Sequence, residues 1–297
     1  MYKDFSADVI AYADKHRLSN EPTPIGVGGL SIVRSREPSA LMNTLYNPLL
    51  CLVLQGQKEA RLGERVVTFS AGESLIVSIN IPTVSQVTAA SPAKPYVALA
   101  LEICLDTIRA IQAELELSDD DVADNASIAS GISGGELVQA VKRLFELRDR
   151  SYVEQKIMAP ILLREIHFRL LLESHGGMLR RLAYPDSHES RINRAILKLQ
   201  KDFAEPICVQ DLAALVGMSA SSFHEHFKAV TATTPLQFLK DVRLLVAQQK
   251  LLATALSVST VGFEVGFEST AHFSREYARK FGYPPSQNRR GSVQAIT

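Results

Sequence analysis

No apolar run in the 297-residue chain approaches the roughly 20 residues of a membrane-spanning helix, which excludes that class of membrane protein. Cysteine is scarce: Cys51, Cys104 and Cys208 are scattered, with no CxxC pair and no even-numbered framework. A disulfide-stapled secreted domain is thereby excluded, and reduced thiols in a cytoplasmic protein are expected. The opening segment "MYKDFSADVIAYADKHRL" is broken by Asp4, Asp8 and Asp14, so it does not read as a signal peptide. It reads as a short amphipathic helix with Phe5, Val9, Ile10 and Ala13 on one side. Histidine is missing between Tyr46 and Glu102, and His16, His167 and His175 form no three-ligand set. There is no Ser-His-Asp or phosphate-loop signature. The expectation is therefore a chain with no metal, cofactor or catalytic residue, and not an enzyme. Net charge is also absent, with 32 Lys and Arg against 32 Asp and Glu.

The charge is nevertheless unevenly placed. Residues 188–297 hold 13 Lys and Arg against 9 Asp and Glu, a net of +4, and residues 1–187 carry the opposite −4. The length suits two domains. Residues 25–105 read as strands: "IGVGGLSIVRS", "LLCLVLQGQKEARLG", "RVVTFSAGESLIVSI" and "PYVALALEICL", divided by turn signals at Asn47-Pro48, Gly63-Glu64, Ala71-Gly72-Glu73 and Ser91-Pro92. Short strands so closely spaced predict a small barrel or jelly roll. From Asp106 the spacing becomes helical. Helices are expected near 134–148 and 153–173, the latter with Ile157, Ile161, Phe168 and Leu172 along one stripe. Such stripes cover a core or pair with a second subunit. The Gly-, Pro- and Ser-bearing stretch 174–190 reads as a connection, and everything from Arg191 onward as helix.

Within that helical part a stretch of about fifty residues occurs twice. Ser219, Phe223, Phe227 and Pro235 precede Ser269, Phe273, Tyr277 and Pro285 by fifty positions each. In the first copy a helix over Gln210–Val216 ends at Gly217, and Ser219 caps a second helix. That second helix buries Phe223, Phe227 and Val230, leaving Ser221, His224, Glu225 and Lys228 on the opposite face. In the second copy Gly266 supplies the turn and Ser269 the cap. Phe273, Tyr277 and Phe281 form the inward stripe, and Thr270, Ala271, Ser274, Arg275, Ala278 and Arg279 point outward. Between the copies Pro235 starts a helix to about Ala253, with Phe238, Val242, Leu245 and Leu252 as its core stripe. A short helix, a glycine turn and a second helix with a polar outer face is the geometry that enters a DNA major groove. Arg275 is the natural base reader, since its fork matches guanine O6 and N7. Lys228, Ser274 and Arg279 suit phosphates, and Ala271 a thymine methyl. If the copies stand about one helical turn of DNA apart, roughly 34 Å, both reach one DNA face.

The segments "GMSASSFHEHFKAVTATTPLQF", "VRLLVAQQKLL" and "VGFESTAHFSREYARKFGYPPSQNRR" resemble the AraC/XylS family of transcription regulators over roughly 191–290. The stretches "LYNPLLCLVLQGQK" and "SINIPTVSQVTAASPAKPYVALALEICLD" look like the cupin-type effector-binding half of one branch of that family. The resemblance implies base-facing roles for Ser221, His224 and Glu225, then Thr270, Ala271 and Arg275. It also implies promoter DNA, RNA polymerase and a second copy of the chain as partners. Many relatives carry basic residues where Glu225 and Ala278 stand, and alanine where Gly262 stands. Weak DNA contact is thus expected in the first unit.

The sequence thus predicts an α+β chain. An arm (1–24) leads into a cupin-like barrel with flanking helices (25–175) for effector binding and dimerisation. A linker (176–190) leads to an all-α double helix-turn-helix domain (191–297). The expected function is a sequence-specific, DNA-binding transcription regulator, an activator by family habit, that answers to a small molecule of unknown identity. Two alternatives stand beside it: a metal-binding or enzymatic cupin fused to a degenerate helical domain, and a sensor whose output is protein association. Within the barrel, "LCLVL" sets Cys51 and Val53 against Leu52 and Leu54 with both faces buried. Cys51 is expected as a core thiol rather than an electrophile sensor. Arg34, Arg36, Lys58 and Arg61 are expected as solvated charges rather than contacts for an anion.

Overall fold

A computed structural model describes residues 2–19, 21–115 and 126–288. The chain opens with helix α1 (Tyr2–Lys15), whose Phe5, Val9 and Ala13 are buried as their spacing predicts. Among the described residues ten strands follow: β1 (Thr23–Pro24), β2 (Ser31–Ser35), β3 (Met42–Tyr46), β4 (Leu49–Gln55), β5 (Gln57–Leu62), β6 (Arg65–Ser70), β7 (Glu73–Val77), β8 (Ile81–Ala89), β9 (Tyr96–Glu102) and, after helix α2 (Leu105–Leu115), β10 (Ile128–Ile132). Helices α3 (Gly135–Glu146), α4 (Tyr152–Leu172), α5 (Gly177–Ala183) and α6 (His188–Lys201) come next. Then come α7 (Val209–Leu215), α8 (Ala220–Thr231), α9 (Pro235–Ala253), α10 (Val258–Glu264) and α11 (Thr270–Phe281).

The strands do not make the expected cupin-like barrel. They form two separate antiparallel sheets, one in the order β1-β2-β9-β4-β7-β10 and the other β3-β8-β5-β6. Closure would require the edge strands to pair. Instead the chain passes back and forth between the sheets, among other places at two glycine corners. Gly56, at φ +82°, turns β4 into β5 across the gap, and Ala71-Gly72 returns β6 to β7. A side chain at Gly56 would lie 2.5 Å from the Ala89 carbonyl oxygen, so the corner needs glycine for space as well as for φ. At one open side the Ser130 hydroxyl of β10 donates to the Thr68 carbonyl of β6 at 3.2 Å, without a strand ladder between them. A cavity of about 420 Å³ remains there, lined by Val67, Thr68, Ser130, His175 and Met178. At another edge β1 carries Pro24, which has no N–H for a further strand.

Alternation along β4 divides its side chains between two cores, as "LCLVL" suggests. Leu50, Leu52 and Leu54 pack under α1 and α3–α5, whereas Cys51 and Val53 face the second sheet. That inter-sheet core continues without a break into the helical half. It joins Val53, Phe69 and Val87 to Leu182, Ile192, Phe223, Phe227 and Phe238. The stretch read as a connection carries α5, whose Met178, Leu179 and Leu182 are buried. The buried Ser127 hydroxyl donates to the Val230 carbonyl at 2.7 Å and fixes the end of α8 against the sheets. The apolar stripe expected to pack α4 inward is partly reversed. Ile157, Ile161 and Leu172 face solvent, and Leu162, Ile166, Leu170 and Leu171 hold the helix to the core.

Candidate nucleic-acid interface

Two helix-turn-helix units flank α9. In the first, Gly217 (φ +66°) turns α7 into α8, and the Ser219 hydroxyl accepts the Ser222 N–H at 3.2 Å. In the second, Gly266 (φ +88°) turns α10 into α11, and the Ser269 hydroxyl accepts the His272 N–H at 3.4 Å. Thr234 caps α9 in the same way, with Pro235 in its first turn, and Ser257 caps α10. Each such cap satisfies an orphan helix donor and contributes about 1 kcal/mol.

The inward residues fall where the spacing places them. Phe223, Phe227 and Val230 are buried in the first unit, and Phe273 and Tyr277 in the second, with Phe281 half-buried beside them. α9 serves both units. Phe238, Leu239 and Val242 join the first core, and Leu244, Ala247 and Leu251 the second. This twist of the buried stripe around α9 leaves Leu252, expected in the core, exposed. Gly262 also has a packing role. A methyl there would stand 3.0 Å from Phe273 Cδ1, so the glycine lets α11 lie close against α10.

The outward faces are equally well placed. Ser221, His224, Glu225 and Lys228 are exposed on α8, and Ala271, Arg275 and Arg279 on α11, with Thr270 and Ser274 half-buried at the same face. Arg275 makes no ion pair among the described residues, so its guanidinium is available. Arg279 is already engaged by Glu276. Glu276 also holds Lys240 at 2.9 Å. Burial alone would raise the Glu276 carboxyl, but Lys240 and Arg279 hold it below the ordinary carboxylate range. The Lys280–Asp241 pair, at 2.6 Å, is a second tie between α11 and α9.

Spacing alone did not reveal Arg243. From α9 its guanidinium donates to the carbonyls of Phe203 at 2.6 Å, Gly266 at 2.8 Å and Glu205 at 2.9 Å. It thereby ties the turn of the second unit to the loop after α6. The His188 and His226 rings, stacked at 3.7 Å between centroids, likewise join α6 to α8. The signal for Arg243 was a cation inside the apolar run of a linker helix.

In the N-terminal half the four cations differ. Arg36 and Arg61 are exposed and paired with Asp14 and Glu59. Arg34 is buried against Asp14. Lys58, expected at the surface, is buried between the sheets. Cys51 is buried, and burial pushes its thiol up against the pull of Lys58. Among the described residues no three His, Cys, Asp or Glu side chains converge as a metal site. No helix among them is long and apolar enough to cross a membrane.

Residues 26–178 match the family model described as AraC-type transcriptional regulator N-terminus, and residues 212–291 match a helix-turn-helix domain. The chain is 32% identical over 131 residues to the HTH-type transcriptional activator RhaS of Klebsiella pneumoniae (strain 342), covering 43% of this chain and 46% of that one. It is 29% identical over 159 residues to RhaS of Salmonella schwarzengrund (strain CVM19633), covering 52% and 55%. The chain thus spans about half the length of these curated relatives. Among solved structures, ToxT from Vibrio cholerae O395 bound to (E)-4-(8-methylnaphthalen-1-yl)but-3-enoic acid aligns with a TM-score of 0.57 at 11% identity. That alignment covers 87% of this chain and 96% of that one, a likeness of fold.

Proposed function

Because the chain belongs to the AraC-type transcriptional regulators, whose N-terminal model spans more than half of it, we propose that it binds promoter DNA in a sequence-specific way under control of a small molecule. The observation that carries this reading is the pair of capped helix-turn-helix units held by one helix, with the unpaired Arg275 on an exposed recognition face. In this reading Ser221, His224, Glu225, Thr270, Ala271 and Arg275 face base edges, and Lys228, Ser274 and Arg279 face phosphates. The effector sits in the N-terminal half. The core shared by the sheets and the first unit supports such coupling, because an effector that prefers one arrangement of that core shifts how the first unit is presented. The relatives' printed name, transcriptional activator, makes activation the expected sign, with RNA polymerase as partner and the cytoplasm as location. The regulatory role leaves no catalysis to assign.

The exposed face of α4 is the proposed contact for a second copy. Val153, Ile157 and Ile161 stand 72%, 60% and 55% exposed at four-residue spacing, an apolar stripe that water does not favour. Sedimentation equilibrium of the Ile157→Glu variant should show a monomer where the parent is a dimer. A parent already monomeric at micromolar concentration sinks the dimer.

DNA binding is tested on sites selected from a random pool, by fluorescence anisotropy between 50 and 200 mM salt. A reader with several phosphate contacts must weaken steeply as salt rises. Absence of binding at 50 mM would instead favour a sensor whose output is protein association.

A further inference from the structure

We infer that Lys58 is the anion-binding group of an effector site between the two sheets, and that the effector is a small organic carboxylate. The inference rests on the effector-controlled reading above and names the ligand class. Three cations are buried among the described residues: Arg34, Arg181 and Lys58. Two follow the rule that buried charges are paired. Arg34 meets Asp14, and Arg181 meets Glu189 at 2.9 Å. Lys58 is 8% exposed and has no carboxylate within ion-pair distance among the described residues.

The register explains how it came to be inside. Lys58, Ala60 and Leu62 share the inward face of β5, with Phe69 and Val87 as the cross-strand neighbours of Lys58. Its ammonium lies 5.7 Å from the Tyr46 ring centroid. Tyr46 in turn has its hydroxyl 3.1 Å from the Ser85 hydroxyl. From the facing sheet come Cys51 and Tyr96, whose sulfur and hydroxyl stand 3.8 Å apart. Burial pushes the Cys51 thiol and the Tyr96 phenol up, so both keep protons to donate. Tyr46 hydrogen-bonds the ammonium but brings no opposite charge near it, and a bound carboxylate would supply one. One cation, two phenols and a thiol, backed by Phe69 and Val87, suit a carboxylate head on an apolar body.

The test uses the full chain, a series of monocarboxylates from acetate to octanoate together with benzoate, and the primary amide of each. Unfolding midpoints and anisotropy on selected DNA are read in parallel. At least one carboxylate should raise the midpoint while its amide does not. Lys58→Met should weaken that binding at least tenfold, and Tyr96→Phe should weaken it less. Without ligand the Lys58→Met protein should melt no lower than the parent, because a buried unpaired charge has been removed. The assignment is overturned if no carboxylate shifts the midpoint, if Lys58→Met keeps the shift, or if that variant melts several degrees lower. Two results separate this inference from the reading beneath it. An amide that binds and changes DNA affinity keeps effector control and removes the carboxylate site. A carboxylate that binds through Lys58 without changing DNA affinity keeps the site and removes effector control.

Discussion

A guanidinium on an exposed helix face is free to act only if nothing nearby has claimed it, and the two outward arginines of α11 differ in that respect. Arg279 is held by Glu276, whereas Arg275 has no ion pair among the described residues. Arg275→Ala should cost about 1–3 kcal/mol of binding and relax preference at one base position. An equal loss on every sequence, measured by anisotropy on single-base variants of a selected site, would assign it to phosphate instead. Glu225 poses the opposite case: an exposed carboxylate where the duplex presents negative charge. Glu225→Gln should tighten binding to all sequences, and unchanged or weaker affinity would show the acid reading a cytosine amine. The outward positions of α8 and α11 were legible from helical spacing alone. Lys58 and Arg243 were not. The inward side of β5 puts a lysine in register with Ala60 and Leu62, against the habit that lysine faces water. The partners of Arg243 are backbone carbonyls, which leave no mark in a sequence.

Helix ends and strand corners were partly readable, and the readable ones were those set by local chemistry. Ser219, Ser269 and the glycine turns were visible because capping and positive φ select residue types. β8 was not seen as a strand because its inward positions include Thr83 and Ser85 beside Ile81 and Val87. That blurs the alternation on which strand detection depends. The jump between sheets at Gly56 was hidden for a different reason. One continuous run, "LLCLVLQGQKEARLG", spans both β4 and β5, and a barrel and a two-sheet stack share that pattern. The two turn glycines give the element-scale prediction. Both have positive φ, which costs an L-residue about 1–2 kcal/mol. At Gly217 a methyl would meet nothing nearer than Arg191 Nη1 at 3.9 Å, so Gly217→Ala should lose about that much stability. At Gly266 the methyl would stand 2.4 Å from the Ala204 carbonyl oxygen and 2.9 Å from Arg243 Cζ. Gly266→Ala should therefore lose clearly more, and should also weaken DNA binding by displacing the Arg243 tie. Chemical denaturation of both variants decides it, and equal losses would mean that the Arg243 contact contributes little.

At the scale of the whole molecule, two buried histidines make the N-terminal half sensitive to acid. His167 on α4 accepts the Cys104 N–H through Nε2 at 2.8 Å, and its Nδ1 lies 2.6 Å from the Leu163 carbonyl. It thus satisfies the backbone just before α2. His175 stands 2.9 Å from the Ser74 hydroxyl and packs over Gly131, between β7, β10 and the start of α5. Burial pulls both imidazoles below their ordinary value of about 6.5, and nearby Glu73 only partly opposes this at His175. The unfolded chain therefore binds protons that the folded chain refuses. Their contribution to stability is complete above about pH 6.5 and declines as pH falls below it toward the depressed folded-state values. Protonation at Nε2 of His167 would also remove the acceptor of the Cys104 N–H. Unfolding midpoints should accordingly be flat above pH 7 and fall between pH 6.5 and 5. In the double variant His167→Gln, His175→Gln the midpoint starts lower, but most of that slope should vanish. A parental slope retained in the double variant would place the acid sensitivity in other groups.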